Sequence, residues 1–380
     1  MYNDVVKFVR DQFNSEEFIP LHVPVFRGNE KEYVLSTIDS TFVSSVGKFV
    51  DKFEELIREY TGAKYAIATT NGTSALHMAL MLAGVKQGDL VLTQPLSFIA
   101  TCNAISYIGA EPLFVDVDKE TLGLSPEALR EFLKESVEIK AGQAIHKNTG
   151  KRIAACVPMH TFGHPSKIDV LIDICQQYNI NLVEDAAESL GSTYKNQQTG
   201  TFGLLGTYSF NGNKTITCGG GGMIVTNDEH LGKLAKHLTT QAKVAHRWDF
   251  VHDHIGFNYR LPNLNAALAC AQMEQLDTFI ANKRELAESY GNFFANHDIQ
   301  FVSEPRDSKS NYWLNAVLLK DRQERDLFLN YSNDHGVMTR PVWELMNRLP
   351  MFANAITTDI SNAEWIADRL VNIPSSVRLK

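Results

Sequence analysis

Ser209-Phe-Asn-Gly-Asn-Lys214 is followed at once by Thr215-Ile-Thr-Cys-Gly-Gly-Gly-Gly222. A lysine at the end of a short apolar stretch, just before four glycines, suits a reactive amine beside a closely approaching ligand. An amine so placed can add reversibly to an aldehyde or ketone. Upstream, Val183-Glu-Asp185-Ala-Ala-Glu188 sets acids at the end of an apolar strand, the carboxyl edge where open α/β sheets hold ligands.

Amine and acid together match the needs of pyridoxal phosphate. Lys214 would form the Schiff base with its aldehyde, and Asp185 would keep its ring nitrogen protonated so that the ring draws off carbanion charge. The phosphate needs backbone N–H groups at a helix N-terminus, which Gly72, Thr73 and Ser74 offer where a strand meets a helix. Phe98, after Pro95-Leu-Ser97, could stack on the ring. Each residue alone has a plainer reading: Lys214 a solvated lysine, Asp185 a helix N-cap, Gly72 to Ser74 an ordinary cap and turn, and Phe98 a core side chain. The glycines 219–222 lack the order of a nucleotide-binding P-loop and read instead as a hinge that lets the lysine loop pack closely.

These residues need an α/β scaffold, and the pattern supplies one. Strand-like runs at Lys64–Ala68, Leu90–Leu92, Glu111–Val115, Ala154–Val157 and Asn181–Glu184 alternate with helical stretches at Ala75–Ala83, Phe98–Ile108, Ser125–Glu135 and Ile168–Tyr178. Tyr208–Phe210 and Gly222–Val225 predict strands flanking the lysine loop. Lys140–Arg152 is polar, with Asn148-Thr-Gly150 as a turn signal for a surface hairpin or loop. After Pro262 one long helical pattern runs to Phe294. Tyr312–Leu319 then reads as a strand and Arg322–Tyr331 as a helix. A chain of 380 residues exceeds one core, so residues 1–260 are expected to form an N-terminal segment and large domain, and 261–380 a linker helix and small domain.

Composition is that of a globular protein, with 44% hydrophobic and 21% charged residues. A net charge of −8 disfavours a nucleic-acid partner. Cys102, Cys156, Cys175, Cys218 and Cys270 form no C-x-x-C pair, which points to no zinc site or disulfide framework. With no signal-peptide pattern and no run long enough to span a bilayer, the expectation is a cytoplasmic protein that binds neither metal nor membrane.

At these residues the chain resembles the DegT/DnrJ/StrS family of nucleotide-sugar aminotransferases. The likeness extends over nearly the whole chain, through Pro24-Val-Phe-Arg-Gly28, Gly-Thr-Ser-Ala-Leu76, Pro-Leu-Ser-Phe98, Pro-Met-His-Thr-Phe-Gly163, Glu-Asp-Ala-Ala-Glu188, Ser-Phe-Asn-Gly-Asn-Lys214 and Gly-Phe-Asn-Tyr-Arg260. The resemblance implies the aspartate-aminotransferase fold (fold type I), with a large, mostly parallel sheet domain and a smaller C-terminal α/β domain. It implies that Thr73 and Ser209 bind the cofactor phosphate, that Phe98 stacks on the ring, and that Asn258 reaches the phosphate of a neighbouring subunit in a homodimer. Arg260 would stay close to that shared site, and His160 would lie near the cofactor. Many members carry glutamine where this chain has Glu188, near the cofactor's phenolic oxygen, so a carboxyl there must be protonated or differently paired.

Ile19-Pro-Leu-His-Val-Pro-Val-Phe-Arg27 and Gly336-Val-Met-Thr-Arg-Pro-Val-Trp343 resemble the branch that makes bacillosamine and legionaminic acid precursors. That likeness implies transfer of the amino group of L-glutamate to C4 of a UDP-linked 2-acetamido-4-keto-6-deoxyhexose, with Arg340 and Trp343 against nucleotide or sugar. Three alternatives carry different signatures. A 3-dehydratase of the same fold would replace Lys214 by histidine. A nucleotide-binding oxidoreductase would need G-x-G-x-x-G, which Asn71-Gly-Thr-Ser-Ala-Leu-His77 does not supply. A regulatory protein that binds the cofactor without turnover would keep the same residues.

Overall fold

The computed structural model describes residues 2–378. Its short apolar runs form a seven-stranded sheet in the order Tyr65–Thr69, Gly222–Thr226, Leu205–Ser209, Asn181–Asp185, Ile153–Val157, Leu90–Thr93, Glu111–Phe114. Only Gly222–Thr226 runs antiparallel to its neighbours; the other pairings are parallel. Leu90–Thr93, Ile153–Val157 and Gly222–Thr226 are buried at every position, as strands covered on both faces must be. The carboxyl ends of the parallel strands therefore meet along one edge, where Asp185 and Ser209 sit.

The expected strands and helices of this half are present, with shifted bounds. The strand predicted at Tyr208–Phe210 begins earlier, at Leu205, and ends at Ser209. The polar segment does form a hairpin, but its strands are Val137–Lys140 and Gln143–His146. The chain reverses at Ala141 and Gly142, both at positive φ (49° and 78°), as tight hairpin turns require. Asn148-Thr-Gly150 makes a separate turn, in which the Gly150 N–H donates to the His146 carbonyl.

A second, antiparallel sheet follows the order Gln300–Phe301, Asn315–Leu318, Leu370–Ile373, Arg340–Pro341. The division expected between residues 260 and 261 is crossed from both sides. The N-terminal helix Tyr2–Phe13 buries Val5, Val6 and Val9 with Leu286, Phe328 and Val371 of the C-terminal part. The helix Asn263–Met273 instead packs Ala266, Ala269 and Cys270 into the core beneath the first sheet. The single long helix expected after Pro262 is two, Asn263–Met273 and Leu276–Phe294. At the break, Gln272 and Gln275 both donate to one carboxylate oxygen of Glu30, at 2.7 and 2.6 Å. Among the described residues no helix is long and apolar enough to cross a membrane.

Gly222 is where the lysine loop rejoins the sheet. A Cβ there would lie 2.3 Å from the Asn71 carbonyl oxygen, whereas one on Gly212 would meet nothing within 4 Å. Gly222→Ala is expected to lower stability in denaturant unfolding by about 1–3 kcal/mol, the usual cost of forcing extra volume into a packed site. Gly212→Ala should stay within about 0.5 kcal/mol of the parent.

Candidate active site

At that carboxyl edge lies a cavity of about 300 Å³, lined by Asn71, Gly72, Thr73, Phe98, Asp185, Glu188, Ser209, Asn211, Asn213, Lys214, Trp313 and Trp343 among others. Each is placed by a local cause. Asn71 is the N-cap of the helix Gly72–Leu82, its side chain accepting from the Ser74 N–H at 2.8 Å. That leaves the N–H groups of Gly72 and Thr73 without helical acceptors, at the positive end of the helix. Gly72 is needed for the fit: a Cβ would lie 2.8 Å from the Ser209 Cβ.

Asp185 is held on both oxygens, Oδ2 accepting from the Thr101 hydroxyl at 2.6 Å and Oδ1 from the Ala187 N–H at 3.2 Å. No helix follows it directly, which removes the N-cap reading. Phe98 is 47% exposed and lines the cavity, so it is not a core side chain. Its ring meets Trp343 edge-on at 6.0 Å, and Trp343 leans on Phe162 at 5.2 Å.

Lys214 is not a solvated lysine: its side chain is only 12% exposed. Its Nζ stands 3.3 Å from Glu188 Oε1 and 4.0 Å from the centre of the Trp313 ring. Glu188 Oε2 accepts from the Phe162 N–H at 3.0 Å, an amide turned inward by the left-handed backbone of Phe162 (φ 57°). Burial pushes the Glu188 carboxyl up to about 7; Lys214 and the Phe162 N–H pull it down, and Asp185 adds a smaller push upward. The carboxyl is thus poised between donor and acceptor near neutrality.

The structure does not bring every expected residue to the cavity. His160 is fully buried beneath it: Nδ1 accepts from the Ser166 N–H at 3.0 Å, and Nε2 faces Glu184 at 2.9 Å. With both nitrogens engaged it is a structural histidine rather than a substrate contact. Ser74 spends its N–H on the Asn71 cap, and it does not line the cavity. Arg340 is exposed on a short strand of the second sheet, away from the lining. Asn258 and Arg260 face each other, Arg260 Nε donating to Asn258 Oδ1 at 3.1 Å, and also lie outside the lining.

Sequence reasoning missed Trp313, Asn213, Asn211, Asn71 and Thr101. The lone usable signal was Asn71, an Asn directly ahead of a helical stretch. The donor set fits pyridoxal phosphate: a free helix N-terminus beside Ser209 for the phosphate, a carboxylate for the ring nitrogen, an aromatic face and one amine.

A buried carboxyl with this raised value stabilises the fold most when protonated. Its contribution is fully present below about pH 4.5 and is lost as the pH rises through about 7. In cofactor-free protein, Glu188→Gln should flatten that fall in melting temperature between pH 4.5 and 7. An unchanged slope in thermal melts of the variant would contradict the assignment.

Residues 24–380 match the DegT/DnrJ/EryC1/StrS aminotransferase family. The chain is 38% identical over 359 residues to GDP-perosamine synthase of Escherichia coli O157:H7, covering 94% of this chain and 93% of that one. Among solved structures it superposes on Helicobacter pylori PseC, an aminotransferase involved in the biosynthesis of pseudoaminic acid. The TM-score is 0.85 at 22% identity, with 94% of each chain covered. The E. coli GDP-4-keto-6-deoxy-D-mannose-3-dehydratase with bound hydrated pyridoxal phosphate shares the fold, with a TM-score of 0.83 at 23% identity over 94% of this chain and 95% of that one.

Proposed function

The chain belongs to the DegT/DnrJ/EryC1/StrS family of pyridoxal-phosphate-dependent sugar aminotransferases, and we propose that it moves the amino group of L-glutamate to C4 of a UDP-linked 2-acetamido-4-keto-6-deoxyhexose, within surface-glycan sugar biosynthesis. The observation that carries the amino-transfer part is one cavity holding the Lys214 amine, the Asp185 carboxylate and the start of the helix Gly72–Leu82. The UDP-sugar part rests on the resemblance of the segments at Ile19–Arg27 and Gly336–Trp343.

Bound pyridoxal phosphate supplies an aldehyde that accepts amino groups and a ring that spreads carbanion charge. The protein's residues do the rest. Gly72 and Thr73 N–H groups with the Ser209 hydroxyl hold the phosphate. Asp185, pinned by Thr101 and Ala187, stabilises a proton on the ring nitrogen. Phe98 covers a ring face. Nζ of Lys214 would take the proton from the α-carbon of glutamate and pass it to the cofactor's C4′ in the first half of the cycle, and would carry one from C4′ to C4 of the sugar in the second. Glu188, 3.3 Å from that Nζ, accepts from it when ionised and, when protonated, would have a hydroxyl to offer the cofactor's phenolic oxygen. Trp343 provides a flat apolar wall for the sugar.

A second copy of the chain completes the site in this reading. Large exposed apolar side chains concentrate in two segments, with Phe26, Leu35, Ile38, Phe42 and Val46 in one and Trp248, Phe250, Val251 and Ile255 in the other. Such exposure suits a covered interface. Asn258 follows the second segment and is absent from its own chain's cavity, as a residue serving a neighbour's phosphate would be. Asn258→Ala should weaken cofactor binding about tenfold, the effect of one hydrogen bond to a charged group, as read by fluorescence titration. Unaltered affinity would rule out that role.

Lys214→Ala should bind cofactor without the visible absorbance of the lysine adduct and should not convert it to the pyridoxamine form with glutamate. Retained conversion would sink the assignment, and failure of the parent to convert would favour a regulatory protein. A GDP-linked ketosugar is the second reading, favoured by the GDP-perosamine synthase likeness. A panel of UDP- and GDP-linked 4-ketosugars, with product mass and NMR spectra, separates the two.

A further inference from the structure

Trp313 has no part in the proposed reaction, yet it touches the lysine loop twice, at Asn213 and at Lys214. Its indole Nε1–H donates to the backbone carbonyl of Asn213, the residue before the lysine, at 2.6 Å. Its ring face lies 4.0 Å from Lys214 Nζ. The side chain is nearly buried, among Leu96, Phe162 and Leu314.

The backbone that carries it is unusually well anchored. Asn311 Oδ1 accepts from the Trp313 N–H at 2.8 Å, and Asn311 Nδ2 donates to the carbonyls of Glu188 and Leu190, each at 2.9 Å. The Asn311 N–H donates to Ser192 Oγ at 2.9 Å. Tyr312 between them sits at φ 47°, a left-handed turn that aims the next side chain back toward the cavity. The stretch Asn311–Trp313 thus clasps the Glu188 backbone with one residue and the lysine loop with another.

We propose that Trp313 is a positioning residue for Lys214: its N–H pins the turn that bears the lysine, and its ring holds the released ammonium in one place between proton transfers. The proposal rests on Lys214 being the reacting amine. A lysine side chain has four rotatable bonds and loses much freedom when fixed. An aromatic face is one of few groups that attracts the ammonium yet takes no proton from it. Glu188 on the other side competes for the same Nζ, and the two contacts together define where it waits. A purely structural tryptophan would fill the same volume without favouring the charged amine.

The test uses Trp313→Leu, which loses both contacts, and Trp313→Phe, which keeps a ring face and loses the N–H. In cofactor-free protein, trace acylation followed by mass spectrometry of the Lys214 peptide reads how much amine is neutral. At about pH 8 Trp313→Leu should be acylated about fivefold faster than the parent, and the difference should shrink as the pH rises. Trp313→Phe should stay within about twofold. In loaded enzyme, Trp313→Leu should convert with glutamate about tenfold more slowly at saturation, the scale expected when a reacting group is misplaced, with half-saturation unchanged. Folded Trp313→Leu with unaltered Lys214 acylation, or with an acceleration equal at every pH, would overturn the proposal, the latter meaning simple opening of the cavity. If Trp313→Leu does not fold, Trp313→Met, which likewise lacks both the ring face and the N–H, replaces it with the same expected readouts. Turnover surviving in Lys214→Ala would instead remove the reading of Lys214 on which the proposal stands.

Discussion

The contact between Lys214 Nζ and Glu188 Oε1, 3.3 Å apart with both side chains largely enclosed, sets what the surrounding chain must do. Neither group is stable there alone, since an unpaired buried charge costs several kcal/mol. Glu188 is therefore tied to the Phe162 N–H, which demands a left-handed residue at Phe162. Lys214 is in turn faced by Trp313. Each partner needs its own support, and this is supplied by the Asn311 side chain and the Ser192 hydroxyl. A polar network of this kind is stabilising only when every member is satisfied.

The same logic explains the acid beside the lysine. Asp185 has two hydrogen-bond donors and stands at a strand end, while Glu188 is fully enclosed and titrates close to neutrality. Two carboxyls three residues apart are thus set to different tasks by burial and partners. One keeps its donors around both oxygens; the other can change its proton. Glu184, next to Asp185 in sequence, points to the opposite face of the strand. There it takes the N–H groups of Gly200, Phe202 and Gly203, each at 2.7 Å. Strand alternation alone separates the two neighbours.

Much of the scaffold was legible because its signals are local. The apolar runs of the first sheet, the helices between them and the loop with Lys214 follow from period and composition. Asp185, Phe98, Gly72 and Thr73 were likewise named as candidates from their positions beside those runs, and they line one cavity with Lys214. Other features have no local signal. The hairpin turned at Ala141-Gly142 because backbone conformation, not turn-residue content, decides a tight reversal. The helical pattern after Pro262 is interrupted where Gln272 and Gln275 both reach Glu30, a residue more than 240 positions away in sequence. His160 was expected near the cofactor by resemblance, yet its nitrogens are consumed by Ser166 and Glu184.

By itself the sequence determined the class of sheet, the family, and the amine and acid that meet the demands of the cofactor. Those properties depend on residue type and on spacing within a few turns or strands. Tertiary structure decided which of the candidates face one another. It placed Trp313 and Asn311 over the lysine from a chain segment about one hundred residues later, and it raised the Glu188 carboxyl by enclosing it. It also left Asn258 and Arg260 outside the cavity of their own chain. The reason is that burial, charge proximity and hydrogen-bond satisfaction are properties of the folded neighbourhood, and no window of sequence contains them.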